Sequence, residues 1–138
     1  MTPKTWIHCG LLLIGLAGIL ACDNTPPPPK TYPVKGKVVF NEGGAPSDGL
    51  IEFRSVADSV SARGKVEPDG SFSLTTIANN KTLQGTIEGE HAVTYIPGVG
   101  KDAMGQSNLP PVNGTEKVKV KADGGNDFTI KLARPKAR

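Results

Sequence analysis

The sequence predicts an all-β fold of antiparallel sheets, each with one wet face, packed in pairs. Three observations carry that expectation. Glycine (17) and proline (12) are plentiful while aromatic residues make up 5% of the chain, a balance that favours turns and short strands. From Val34 onward apolar and polar residues alternate at period two between turn signals. After Cys22 no convincing helical period appears. At 138 residues the chain has room for one domain and not comfortably two.

The chain opens with MTPKTWIHCG, charged at Lys4 and the amino terminus, followed by an apolar run from Leu11 to Ala21. Eleven helical residues span roughly 16 Å, against a hydrocarbon core of about 30 Å. The run is therefore too short for a membrane span. Its charged start, short apolar middle and small residue before a polar shift are those of a secretory signal. Its end, ILAC from Ile19 to Cys22, is similar to the lipobox of bacterial lipoprotein signal peptides. That resemblance implies cleavage between Ala21 and Cys22 and a diacylglyceryl group on the Cys22 thiol, with acyl chains such as palmitate. Residues 1–21 are then the signal peptide. Cys9 leaves with it, so the mature chain has no thiol to spare for a disulfide.

Residues 22–33 form a tether. Pro26 to Pro29 favour polyproline II at about 3.1 Å per residue, so Asp23 to Pro33 has the reach to hold a domain on the order of 30 Å off the bilayer.

The domain expected over 34–133 reads as seven strands. YPVKGKVVF sets Val34, Gly36, Val38 and Phe40 against Lys35, Lys37 and Val39. LIEFRS sets Ile51 and Phe53 on one face, Glu52 and Arg54 on the other. ARGKVEPDGSFSLTT is a hairpin turned by Pro68-Asp69-Gly70, with Phe72 and Leu74 inward and Ser71, Ser73 and Thr75 outward. GEHAVTYIP aligns His91, Val93 and Tyr95. TEKVKVK buries Val118 and Val120 and projects Lys117, Lys119 and Lys121. NDFTIKL buries Phe128, Ile130 and Leu132. Residues 134–138 are a basic tail.

In order, VKGKVVF, IEF, VEPDGSFSL, GTIEGEHAVTYIP and NDFTIKL resemble the carboxypeptidase regulatory-like, or transthyretin-like, domains of bacterial surface lipoproteins. The resemblance runs over roughly 32–132. It implies a seven-stranded Greek-key sandwich of prealbumin type with no catalytic residues of its own. Two features depart from that pattern: His91 stands where an aromatic is common, and NEGGAPSDG replaces a shorter turn.

Candidate sites are few. With one histidine left after cleavage and no free thiol, the chain lacks the three or four ligands a zinc site wants. Nothing resembles the G-x-S-x-G nucleophile elbow, and His91 reads as a filler of an aromatic slot near a sheet edge. PGVGKDAMG fits neither a Walker A loop, since Asp102 follows Lys101, nor a dinucleotide fingerprint, since no helix follows. Residues 98–114 form a loop longer than structureless loops usually run, with Met104 and Leu109 near its middle. Lys117, Lys119 and Lys121 form a basic strip diluted by Glu116, Asp123 and Asp127. With Met104 and Leu109 they are the candidate partner surface. A formal charge of +3 is too mild to imply a nucleic-acid partner.

These readings converge on an exported, lipid-anchored bacterial lipoprotein at the periplasmic or surface face of a membrane. It is expected to act as a non-enzymatic binding or structural module, without metal or cofactor, on an envelope protein or wall polymer. The alternative is an accessory domain acting in trans on a surface enzyme or transporter.

Overall fold

The structure, a computed structural model, describes residues 25–98 and 109–136. The expected signal peptide, Cys22 and Met104 lie outside the described residues. All regular structure among them is β: β1 (Val34–Phe40), β2 (Gly49–Ser55), β3 (Ser61–Lys65), β4 (Ser71–Ser73), β5 (Thr75–Ala78), β6 (Lys81–Gln84), β7 (Gly89–Pro97), β8 (Val112–Asn113), β9 (Val118–Val120) and β10 (Asn126–Leu132). They form a three-stranded sheet in the order β10-β1-β4 and a seven-stranded sheet in the order β6-β5-β3-β2-β7-β8, with β9 also on β7.

The two sheets close on one core in a sandwich-like arrangement. Val38 and Leu132 from the small sheet and Ile51, Phe53, Ala62, Val93 and Val120 from the large one are at most 2% exposed. Phe53 lies at the centre, with ring centroids of Phe72 at 5.8 Å and Phe128 at 6.2 Å. Inward-facing alternation holds along β1, β2 and β7 as the sequence predicts. Gly36 is where the pattern needs no side chain: a Cβ there would collide with the Phe128 carbonyl and come within 2.9 Å of the Phe72 ring.

Three features correct the expected layout. First, the sheets are not wholly antiparallel: β1 and β10 pair in parallel from Val34↔Asn126 to Phe40↔Leu132. The parallel pair joins the first and last strands, so nearly the whole domain serves as the long crossover such a pair requires. Second, the Pro68-Asp69-Gly70 hairpin joins the two sheets instead of extending one. β3 belongs to the large sheet and β4 pairs with β1, leaving the single bridge Val66↔Phe72 between the hairpin arms. At Leu74, whose N–H bonds the Val34 carbonyl, the chain returns, and β5 pairs with β3. The predicted strand through Ser71–Thr75 is therefore two strands.

Third, β6 and β8 add to the seven strands expected. Asn79 (φ 49°) and Asn80 (φ 60°) take two successive left-handed conformations, the requirement of a two-residue type I′ turn, which asparagine tolerates. That turn joins β5 to β6. Val112–Asn113 pairs with Thr94 and Tyr95, so the expected long loop already contains a strand near its end.

Strand directions give the domain two poles. Val34, Ser55 and His91 lie at the pole where the chain enters, with Tyr32 bridged to Thr86 and Thr86 bonded to His91. Phe40, Gly49 and Pro97 lie at the other, where Gly49 faces Pro97 and the Phe40 ring meets Tyr95. A seven-residue strand separates the poles by about 20 Å.

The proline stretch does not simply project from the entry pole. The Asn79 side chain at the β5–β6 turn donates to the Pro26 carbonyl at 2.6 Å, and Tyr32 exchanges backbone hydrogen bonds with Thr86. Residues 26–32 are thus tied to the domain at both ends and do not all contribute to a standoff.

Candidate functional site

The pole opposite the chain entry carries a small apolar cleft. The end of β1 supplies Phe40, the following turn supplies Pro46, β7 supplies Tyr95 and Pro97, and Leu109 and Arg134 complete the wall. Its volume is about 270 Å³. That is just below the usual range for drug-sized ligands and suits one or two side chains of a partner.

Each wall has a local cause. Phe40 is the last inward position of β1, and its ring meets Tyr95 edge-on at 6.4 Å and 73°. Alternation along β7 points Tyr95 inward, and its hydroxyl donates to the Asp48 carbonyl. Burial, helped by the Asp48 carboxylate, pushes the Tyr95 phenol above its ordinary pKa, so it stays a neutral donor. The Asp48 carboxylate also accepts from the Gly49 N–H at 2.8 Å, fixing the turn into β2.

Arg134, the first residue of the basic tail, folds back instead of trailing. Its guanidinium sits 4.7 Å from the Phe40 ring centroid and donates to the Gly43 carbonyl at 3.1 Å. A guanidinium on an aromatic face is worth about 0.5–1 kcal/mol at an exposed site. The cleft thus offers aromatic and proline surfaces with one cation at the rim.

His91 fills a core position, as its alternation with Val93 and Tyr95 predicts, but not near a sheet edge. It lies between β2 and β9, paired with Ser55 on one side and Val118 on the other. Its side chain is fully buried, with the Phe53 ring centroid at 6.2 Å. The geometry fits a neutral ring whose Nδ1–H donates to the Gly89 carbonyl at 3.0 Å and whose Nε2 accepts from the Thr86 hydroxyl at 3.3 Å. Burial lowers its pKa, outweighing the Gly89 bond that would raise it. Both nitrogens are occupied within the fold.

Another buried ionisable group, missed in the sequence, is Glu52. It lies on the outer face of the large sheet as alternation requires, but Arg54 and Arg63 cover it, at 3.1 and 3.2 Å. Burial alone would raise its carboxyl pKa; the Arg54 hydrogen bond and the charges of Arg63 and Arg54 prevail and hold it below the usual value. Arg63 reaches Glu52 because β3 pairs with β2 in the register Glu52↔Arg63. Knowledge of that pairing would have revealed the cluster.

The structure does not gather the other sequence candidates. Lys117 and Lys119 flank Val118 on β9, and Lys121 follows; all three are exposed. Lys117 lies 3.9 Å from Glu90, and Lys119 is in register with the same residue, which further dilutes the strip. Leu109 belongs to the cleft. Among the described residues, no group of three or more His, Cys, Asp or Glu side chains is placed to hold a metal ion. Among the described residues there is no helix long and apolar enough to cross a membrane.

Compared with protein-family models, curated proteins and solved structures, the chain matches none.

Proposed function

We propose that this protein is an exported bacterial lipoprotein, held to a membrane through acylated Cys22, that binds an envelope partner at its distal cleft and turns over no substrate. Its sandwich is of the transthyretin-like, Greek-key type that the strand motifs resemble. The observation carrying this reading is the polarity of the domain. The described chain enters at one end, where Asn79 holds Pro26 four residues past Cys22, and the apolar cleft opens at the other. A lipid at Cys22 would leave that cleft facing away from the bilayer, free to take side chains of a protein partner.

Two measurements test this. Metabolic acyl labelling with intact mass analysis is expected to find lipid on Cys22 and a chain starting there, and Cys22→Ser is expected to lose both. An unmodified Cys22 in the mature protein contradicts the anchor. For the cleft, a photoreactive residue at Ser47 in whole cells is expected to yield a discrete cross-link that Arg134→Ala weakens. Cross-linking no different from that of the same residue at Glu67, away from the cleft, contradicts the binding role. An enzyme or transporter as the captured partner would specify the accessory form of the same reading.

A further inference from the structure

The entry pole carries two of the three exposed large hydrophobic residues of the described chain. Ile77 is 77% exposed and Val56 is 50% exposed. Ile77 lies one residue beyond the Thr76↔Ala62 pair, at the level where β3 begins; Val56 follows the last residue of β2. The Val56 N–H bonds the Glu90 carbonyl, fixing that loop at the same end of the sheet. An exposed isoleucine on an edge hairpin has no packing role to explain it.

The chain path supplies an occupant for that surface. The Asn79 amide at the tip of the β5–β6 hairpin holds the Pro26 carbonyl. Only four residue steps separate Pro26 from Cys22, a reach of at most about 14 Å. A lipid on Cys22 therefore keeps the hairpin tip within one short tether of the bilayer. Nearby charges are of both signs, with Lys30 and Lys81 set against Asp58 and Glu88, so the surface has no strong preference for anionic lipid.

We propose that the entry pole is a membrane-contacting surface on which Ile77 and Val56 dip into the bilayer interface, oriented by the Asn79–Pro26 clasp. It rests on the lipid-anchor reading above. The contact is apolar and superficial, like the roughly 5–10 Å penetration of other interfacial elements. Its effect is to set the domain upright, with the distal cleft pointing away from the lipid.

The test uses the acylated mature protein, starting at Cys22, in phosphatidylcholine vesicles, with one added cysteine, Ile77→Cys, Val56→Cys or Ser47→Cys, carrying an environment-sensitive fluorophore. Labels at 77 and 56 are expected to shift to the blue and resist aqueous iodide severalfold better than the label at 47. Asn79→Gly, which keeps the left-handed turn but removes the clasp, is expected to reduce that protection while the protein still floats with vesicles. If the protein floats with Cys22 blocked but the label at 77 is quenched as readily as that at 47, the surface proposal falls and the anchor stands. A protein that stays in the aqueous fraction with a labelled Cys22 overturns both.

Discussion

The two poles of this domain use similar residue types to opposite effect. At the entry pole, polar side chains are spent inside the molecule: Asn79 on Pro26, Thr86 on His91, and His91 on Gly89. At the distal pole, Phe40, Tyr95 and three prolines surround a space the described chain leaves open, and a tail arginine curls over its rim. One pole fixes how the chain enters. The other offers a surface whose aromatic walls are held in place, Tyr95 by its hydroxyl and Phe40 by the Arg134 guanidinium on its face. Rigidity around an opening favours binding, because less side-chain freedom remains to be lost.

The comparison breaks most severely if the shared core between the poles is opened. Phe53→Ala removes the ring that touches Phe72, Phe128 and His91. It is expected to cost about 3–5 kcal/mol in chemical denaturation. Next comes Gly85→Ala, which acts on the entry pole alone. Gly85 has φ +81°, and a Cβ there would collide with the Tyr32 carbonyl. A loss of about 1–3 kcal/mol is expected, with faster proteolysis around Thr31 as Tyr32 detaches.

His91 sharpens the same comparison through pH. Its folded pKa lies below the ordinary value of 6.5, so the unfolded chain takes up the proton first as pH falls. The stability it contributes is whole above pH 6.5 and declines as pH drops below that toward the folded pKa. His91→Leu is expected to flatten this part of the profile. It is also expected to be about 1–3 kcal/mol less stable at pH 7, because the buried Thr86 hydroxyl loses its acceptor. Glu52 gives a separate fall below its ordinary value of 4.5, which His91→Leu leaves in place. Melting curves from about pH 2.5 to 8 are expected to resolve the two steps. The smallest effect belongs to Arg134→Ala, about 0.5–1 kcal/mol in stability, since its role is to shape the rim.

Most of the strands were legible in the sequence, because period-two alternation reports which side chains share a face, and Val38, Ile51, Phe53, Val93 and Leu132 all proved to be core. Alternation does not report which strand lies beside which. The parallel β1–β10 pair and the crossing of β4 to the other sheet depend on contacts distant in sequence, so they stayed hidden. Asn79-Asn80 is a readable turn signal of the asparagine-rich kind, though no strong alternation flanks it on the β6 side to mark a hairpin. Asn126 carries no periodic signature, yet its buried amide closes the β9–β10 turn by bonding both the N–H and the carbonyl of Lys121. The cleft was half legible: Leu109 was a candidate, and Phe40 and Tyr95 were read as inward residues. Their meeting with a tail arginine at one strand end required the fold.

The fold holds the chain entry and the cleft at opposite ends, so an anchor at Cys22 would present the cleft outward. The most direct measurement is energy transfer from single-site donors to an acceptor lipid in vesicles bearing the acylated protein. A donor at Ser47, beside the cleft, is expected to transfer much less than one at Asn80 on the entry hairpin, reflecting a strand-length separation of about 20 Å. Equal transfer from the two sites, or stronger transfer from Ser47, would contradict it.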